Sequence, residues 1–564
     1  MEKLLLLGDE ALAQGALDAG LSGVYAYPGT PATEITEYLQ RSPEAQQRNI
    51  HRQWCVNEKT AMEAALGMSY TGKRALVCMK HVGLNVAADP FMNSAITGVN
   101  GGLVVVAADD PAMHSSQNEQ DSRFYGKFAM LPMLEPTNQQ EAYDMIHSAF
   151  DLSEKYEIPV LVRLTTRLAH SRSGVACRTS RPEKSLQPPD DPNRFVLLPG
   201  IARQRYQHLL ELQPYFDQEA EHSPFNRYID GTDRRRGIIA CGLAYNYLME
   251  NYQERGCPHP VLKISQYPLP RAKIEQLRAA CDEILVLEEG APFVEEMLTG
   301  FLGSSFANKG RLDAVSTEQG KASVIEFPLE GEKGVFPILI KGRLDGTLPR
   351  AGELNPNIVR AALGLADAPG RPSPEVIVRR PPSLCKGCPH IDTYNALNSA
   401  LADYGPGHVF SDIGCYTLGF LPPYHAINSC VDMGASVTMA KGAADAGLFP
   451  VVAVIGDSTF THSGLTGLLD AVYAQANLVL LILDNATTAM TGGQDYPAIG
   501  KLEAICAGLG VAPEHIRVVV PLKKNHNDLV RVIQEEIAYN GVSVIIPRRE
   551  CIQTMSKKRA SSEN

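Results

Sequence analysis

The sequence predicts an α/β protein: two doubly wound parallel-sheet domains with a smaller α/β domain between them. Three observations carry this. Strand-like apolar runs alternate with helix-patterned segments. Several of those runs are apolar throughout, as buried parallel strands are. Polar stretches follow their carboxyl ends, where open α/β sheets bind ligands.

The first domain is expected over 1–175. GVYAY reads as a strand, and ATEITEYLQ as a helix with Thr30 as N-cap and Pro31 at its first position. NEKTAMEAALGMSY is a helix rich in small residues. RALVCM, GGLVVVAAD and IPVLVRLTT are strands. Residues 176–235 break the rhythm. RTSRPEKSLQPPDDPNRF is polar and proline-rich, the composition of a linker or surface excursion. Strand and helix patterns resume over 236–330 with RGIIACG, AYNYLMENY, HPVLKIS, RAKIEQLRAA and EILVLEEG. A Gly/Pro-punctuated linker is expected over 331–382, a second large α/β domain over 383–555, and a tail over 556–564.

Bulk properties narrow the class. A chain of 564 residues, 44% hydrophobic and 20% charged, is of ordinary globular composition. A net charge of −11 argues against a nucleic-acid partner, which calls for a basic face. No apolar run reaches the roughly 18 residues a membrane span needs, and MEKLLLLGDEALAQG has too short an apolar core for a signal sequence. The expectation is a soluble, cytoplasmic protein. Twelve cysteines in a chain this long do not suggest a disulfide framework.

The chemistry concentrates in the last domain. Gly456-Asp457-Ser458 ends one apolar strand, and Asp484-Asn485-Ala486-Thr487 ends the next, with a helix between. A right-handed crossover makes such strands neighbours or near neighbours. The Asp457 carboxylate and the Asn485 amide oxygen then meet at the carboxyl edge. Two hard oxygens and a backbone carbonyl suit Mg²⁺, which takes its remaining ligands from phosphate and water. Gly456 would let the backbone approach a phosphate closely. The 28-residue separation of Asp457 and Asn485 resembles the thiamine-diphosphate signature, in which Gly-Asp-Gly/Ser opens and Asn closes a stretch of about thirty residues. By that resemblance Asp457 and Asn485 ligate Mg²⁺, and the Thr487 carbonyl is the third protein ligand.

Thiamine chemistry also needs a carboxylate against the aminopyrimidine. Glu58 opens a helix whose Ala61, Ala64, Ala65 and Gly67 permit close packing. The pattern resembles the pyrimidine-domain helix of thiamine enzymes, with Glu58 as activator; Glu63 is the weaker candidate. YPGTPATEI, KHVGLNVAADP, ADDP and HSSQNEQDSRFYGKFAMLP, with CKGCPH, SDIGCYTLG and DMGASVTMAKG later, resemble the 2-oxoacid:ferredoxin oxidoreductases over nearly the whole chain. Within them the nearest likeness is to the indolepyruvate:ferredoxin oxidoreductase α subunits.

The resemblance implies pyrimidine- and diphosphate-binding domains separated by a transketolase-C-terminal-like domain. It places Thr30 near the substrate carbonyl, with Lys80, His81 and Asn85 lining the cavity and Gln117, Asn118 and Glu119 as further candidates for substrate contact. His81 is also a candidate proton shuttle. Among the cysteines, the close pair Cys385 and Cys388 with two distant ones could hold a [4Fe–4S] cluster or zinc. The resemblance favours one cluster on Cys385, Cys388, Cys415 and Cys551, with Cys430 and Cys506 as alternatives for the fourth ligand. It further implies CoA-acylating oxidation of an aryl pyruvate, a smaller β subunit, and a hetero-oligomer with paired catalytic subunits. The resembled subunits usually continue into a ferredoxin-like segment, whereas this sequence ends thirteen residues beyond Cys551. The expectation is that electrons leave through another subunit or to an external acceptor, ferredoxin or another protein. A non-oxidative thiamine decarboxylase or synthase, and a non-catalytic scaffold, are the rival readings.

Overall fold

The computed structural model describes residues 3–253, 256–307, 338–367, 374–378 and 381–562. The end of the expected middle domain and the start of the 331–382 linker lie outside them. The chain divides into two compact units. The first comprises Met1–Tyr25, Thr30–Arg52 and Met62–Gly370; the second comprises Ala26–Gly29, Gln53–Ala61 and Arg371–Asn564.

The first unit holds a six-stranded sheet in the order Gln266–Tyr267, Met133–Leu134, Val160–Thr165, Leu103–Asp109, Ala75–Lys80, Gly23–Ala26. Its three long central strands are buried along their whole length, which is why they read as unbroken apolar runs. Gln266–Tyr267 is antiparallel to Met133–Leu134, so the middle region of the chain lends an edge strand to this sheet. A five-stranded sheet follows the order Leu339–Lys341, Glu283–Leu287, Arg236–Cys241, Val261–Ile264, Arg227–Ile229. Between them runs the excursion, which carries a helix at Pro199–His222.

One expectation is corrected here. Thr30 does not cap the following helix, which spans Thr33–Arg41 with Ala32 at its N-cap. Thr30 is engaged elsewhere: its carbonyl accepts from Ser115 Oγ at 3.4 Å. The helix therefore begins only after this loop contact.

The second unit is built on a wholly parallel sheet of five strands, Val409–Ser411, Val452–Gly456, Leu478–Leu483, Val542–Pro547 and Ile516–Val519. Helices cover both faces and enclose two apolar clusters, one around Ile455, Phe460 and Leu480, the other around Tyr394, Val454 and Leu481. The register pairs Gly456 with Leu483, so the two motif-bearing strands end level with each other. Among the described residues no helix is long and apolar enough to cross a membrane.

Candidate functional site

The level strand ends bring Asp457 and Asn485 together. Asp457 is buried; its Oδ1 accepts from Ser458 N at 2.8 Å and its Oδ2 from Asn485 N at 3.1 Å. Ala486 takes a left-handed conformation (φ 61°), turning the chain so that Thr487 N donates to Asn485 Oδ1 at 3.2 Å. Burial, with Asp484 close by, pushes the Asp457 carboxyl up to about 8. Arg548 is bound to Asp484, and no ion pair to Asp457 occurs among the described residues. A dry carboxylate without a cation is costly. Mg²⁺ would remove that cost, so the residues fit the ion and the diphosphate it accompanies.

Around this edge, Ser458 Oγ lies 2.8 Å from the Tyr27 hydroxyl and accepts from Thr488 Oγ1 at 2.9 Å. Gly456 is also constrained by its packing within the protein. A Cβ there would lie 2.6 Å from the Tyr416 ring, so the close approach is to an aromatic side chain. Tyr416 in turn donates to Asp412, and Asp412 Oδ2 accepts from Gly434 N, Ser436 N and Ser436 Oγ. Asp412 thereby holds the start of helix Ala435–Asp445, and burial raises it to about 6.

Glu58 opens helix Glu58–Tyr70, as the sequence predicts, and is buried. Its Oε2 is bound by His462 Nε2 at 2.8 Å. His462 lies five residues after Asp457 in a π-helical turn, Phe460–Gly464. Asn57 Nδ2 donates to the His462 carbonyl at 2.9 Å, and the Tyr27 ring packs edge-on at 4.7 Å. Sequence reasoning missed His462 and Tyr27. The motif FTHSG directly after Gly-Asp-Ser-Thr is the feature that could have drawn attention to the histidine.

The four expected cluster cysteines are electrostatic neighbours, since Cys385, Cys388 and Cys551 all act on Cys415. Cys415 is half-buried, and its thiol is pushed up by desolvation and then by Cys388, Cys551, Asp457 and Cys385. Cys388 is raised to about 11 by burial, with Cys385 and Cys551 adding to it. Cys430 and Cys506 have other neighbours, Asp412 and Thr417 for the first and Glu503 for the second. Arg549 bonds the Gly387 carbonyl and Asp392, tying the Cys385–Cys388 loop to the residues after the last long strand. All twelve cysteines are free. A thiol gives up its proton when it binds a metal, so this grouping of free thiols fits a cluster. His390, also missed in the sequence, stands between the two sites: its Nε2 is 3.3 Å from Cys415 Sγ and 3.5 Å from Asn485 Nδ2.

In the first unit, Lys80 Nζ donates to the Ser115 carbonyl at 2.6 Å, and Ser115 Oγ reaches Thr30. Burial lowers Lys80 to about 8. His81 Nε2 is 3.3 Å from the Asn118 carbonyl, while its Nδ1 is buried without a hydrogen-bond partner. Asn85 is exposed and accepts from the Tyr125 hydroxyl. Gln117 is exposed on the same loop. Thr30, Lys80 and His81 thus meet one loop, 115–118, and Asn85 and Gln117 stand at the surface.

Comparison with known proteins fixes the family. Residues 14–206 match the family described as "Pyruvate flavodoxin/ferredoxin oxidoreductase, thiamine diP-bdg". Residues 412–546 match "Thiamine pyrophosphate enzyme, C-terminal TPP binding domain". The indolepyruvate oxidoreductase subunit IorA of Archaeoglobus fulgidus is 38% identical over 99% of this chain and 88% of its own length. That of Methanothermobacter thermautotrophicus is 38% identical over 98% and 87%. The chain belongs to the indolepyruvate oxidoreductase subunit IorA family. It is a thiamine-diphosphate-dependent protein of the 2-oxoacid oxidoreductases. A 2-oxoglutarate synthase subunit KorA from Methanocaldococcus jannaschii matches 31% of the chain and 49% of its own length at 28% identity. Among solved structures, the 2-oxoglutarate:ferredoxin oxidoreductase from Magnetococcus marinus aligns with a TM-score of 0.42 and 17% identity over 50% of this chain and 57% of that one. That likeness is too distant to carry residues of the IorA family site across.

Proposed function

We propose that the chain is the catalytic subunit of an indolepyruvate-type oxidoreductase that decarboxylates an aryl pyruvate oxidatively and forms its acyl-CoA, working with a smaller partner subunit. The observation that carries this reading is the meeting of buried Glu58 with the segment that follows Asp457. An activating carboxylate and a diphosphate edge so close together are what a thiamine enzyme needs. The oxidative form of the reaction is supported by the grouping of Cys385, Cys388, Cys415 and Cys551 near His390.

Thiamine diphosphate, when bound, supplies the carbon nucleophile and electron sink for decarboxylation. Asp457, the Asn485 amide oxygen and the Thr487 carbonyl would hold its Mg²⁺, and Ser458 would bond the diphosphate. Glu58 would hold a proton at its carboxylate against the aminopyrimidine, in a dry setting that strengthens the bond. His462 orients that carboxylate. Cys385, Cys388, Cys415 and Cys551 would carry one [4Fe–4S] cluster as the first electron acceptor. Thr30, Lys80 and His81 are the proposed substrate contacts, with Asn85 and Gln117 at the rim. Lys80, already depressed by burial, is suited to meeting a carboxylate.

The test is anaerobic viologen reduction by the chain with its partner subunit, using a panel of 2-oxo acids with and without coenzyme A. Aryl pyruvates should give the highest kcat/KM, and the reaction should require coenzyme A. Glu58→Ala should cost at least about 100-fold in kcat, as losing a preorganised electrostatic contact does. Full dye reduction by Glu58→Ala would remove its assigned role. A purified sample holding thiamine diphosphate but no iron would favour the non-oxidative rival.

A further inference from the structure

Outside the residues given roles above, the first unit holds a further cluster. Strand Lys3–Leu7 runs directly into helix Gly8–Asp18. A Cβ at Gly8 would lie 2.2 Å from the Leu168 carbonyl oxygen and 3.2 Å from the Ala169 Cα. The glycine thus lets the helix's first turn press against the short helix Thr166–His170. Asp9, the next residue, ends up fully enclosed. Glu34, in the first turn of helix Thr33–Arg41, closes the group from another side.

One ligand atom from each of Asp9, Glu34 and His170 lies within 4.8 Å of the other two. His170 Nε2 and Glu34 Oε2 are 3.5 Å apart, longer than an ordinary hydrogen bond. Neither Asp9 oxygen has a hydrogen-bond partner, and Glu34 Oε2 is buried without one. Asp9 is therefore an enclosed carboxylate with no partner of its own, facing a half-exposed pair in which His170 is held up and Glu34 down by each other. An enclosed, unpartnered carboxylate costs several kcal/mol unless something neutralises it. Burial and the neighbouring carboxylates of Glu34 and Glu10 hold the Asp9 carboxyl well above its usual range.

We propose that Asp9, Glu34 and His170 form a binding site for a first-row divalent cation such as Mn²⁺ or Zn²⁺. Two carboxylate oxygens and one imidazole nitrogen are a donor set these ions accept, with water in the open positions. Ligand atoms about 2.1 Å from a common centre stand about 3–3.5 Å apart, so the site closes on the ion with small side-chain shifts. The Glu34 and His170 side chains are each 34% exposed, which leaves an entry path from solvent. The ion would clamp three segments together: the start of helix Gly8–Asp18, the turn after strand Val160–Thr165, and the helix that follows Thr30.

Mn²⁺ is the probe, because it prefers oxygen and imidazole donors to the thiolates elsewhere in the chain. The full chain carrying Asp457→Asn, which weakens the thiamine-associated site, is titrated with Mn²⁺ and followed by electron paramagnetic resonance. One Mn²⁺ should bind per chain. Adding Asp9→Asn, close in size and uncharged, should weaken that binding at least about 100-fold, and His170→Ala about tenfold. Mn²⁺ should also raise the Tm of the Asp457→Asn chain and leave that of the Asp9→Asn double variant unchanged. If the Asp9 change prevents folding, Glu34→Gln is read in the same two assays with the same expectation. Absence of bound Mn²⁺, or binding indifferent to the Asp9 and Glu34 changes, overturns the proposal. So does a Tm that rises with Asp9→Asn and ignores Mn²⁺, which would mean that a proton neutralises Asp9.

Discussion

Two buried charged regions behave in opposite ways. In the first unit, Arg163 on a central strand binds Asp109 at 2.6 Å and Glu135 at 2.5 Å, and Arg123 binds Asp121 at 2.5 Å and Glu288 at 2.8 Å. The Tyr267 hydroxyl completes the set by donating to Glu135 at 2.8 Å. Each carboxylate in this network meets a guanidinium inside the fold. In the second unit, Asp457 accepts from the backbone N–H groups of Ser458 and Asn485 without an ion pair among the described residues, and Cys415 meets other thiols and a neutral-ring neighbour, His390. Both regions are dry, so the difference lies in the missing cation. A fold that compensates one buried cluster internally and leaves another open has a place for a bound group at the second.

The largest effect should come from breaking the compensated cluster. Arg163→Met leaves Asp109 and Glu135 buried without their main partner. Removing one member of a buried pair costs about 3–5 kcal/mol. Chemical denaturation of the full chain should show a loss of that size, with the thiamine site affected only through unfolding. A loss below about 1 kcal/mol would mean that the network is not what holds these charges in place.

The same operation on the open cluster should have the opposite sign for stability. Asp457→Asn removes a charge that nothing in the fold balances, so the cofactor-free chain should be no less stable than the parent. Its affinity for Mg²⁺ with thiamine diphosphate should fall more than the roughly 10–100-fold typical of losing a group that only supports a ligand, because a direct ligand is lost. Fluorescence titration with the cofactor and a thermal melt without it read the two quantities separately. A destabilised, cofactor-binding variant would reverse the comparison.

Glu289 sharpens the boundary between the two kinds of region. It belongs to the first unit, but burial pushes it up to about 7 despite donation from Leu354 N and the nearby Arg343. In the unfolded chain it titrates near 4.5. The folded state therefore holds the proton more tightly, and the associated stability is complete below about pH 4.5 and fades as pH rises through about 7. The shift corresponds to about 2–4 kcal/mol. Glu289→Gln cannot titrate and its amide oxygen can still accept from Leu354 N. Its stability relative to the parent should climb between pH 4.5 and 8 and then level off. A pH-independent difference between the two would assign the strain to packing.

Much of this was legible in the sequence, for identifiable reasons. Val452–Gly456 and Leu478–Leu483 are unbroken apolar runs, and their polar ends mark the sheet edge without ambiguity. Glu58 was legible because the small residues after it are unusual for an exposed helix. The contacts that cross long stretches of chain were not. His462 meets Glu58 across 404 positions, and His390 reaches Asn485 across 95. Only the folded chain shows such pairs, since neither histidine stands in a motif with a fixed spacing to its partner. The packing of Gly456 against Tyr416 was hidden for the same reason: Tyr416 sits 40 residues upstream on a 3₁₀ turn. The short strand Arg172–Ala176 escaped notice because it is largely exposed and carries no apolar alternation.

The smallest expected effect concerns that long-range pair. Glu58 is a buried carboxylate of the open region whose side-chain partner is a histidine rather than an arginine. An imidazole held by Ser463 Oγ at 2.7 Å and by the Tyr27 ring can orient the carboxylate without neutralising it permanently, as a guanidinium would. His462→Ala should lower kcat about tenfold, or about 1.4 kcal/mol, while thiamine diphosphate affinity stays within about threefold of the parent. His462→Gln, whose amide can donate to Glu58 in the same place, should recover most of the rate. A purely structural role predicts a different pattern, with affinity and Tm falling together and glutamine giving no rescue. Finding that pattern would move His462 from the side of the open, functional region to that of the compensated one.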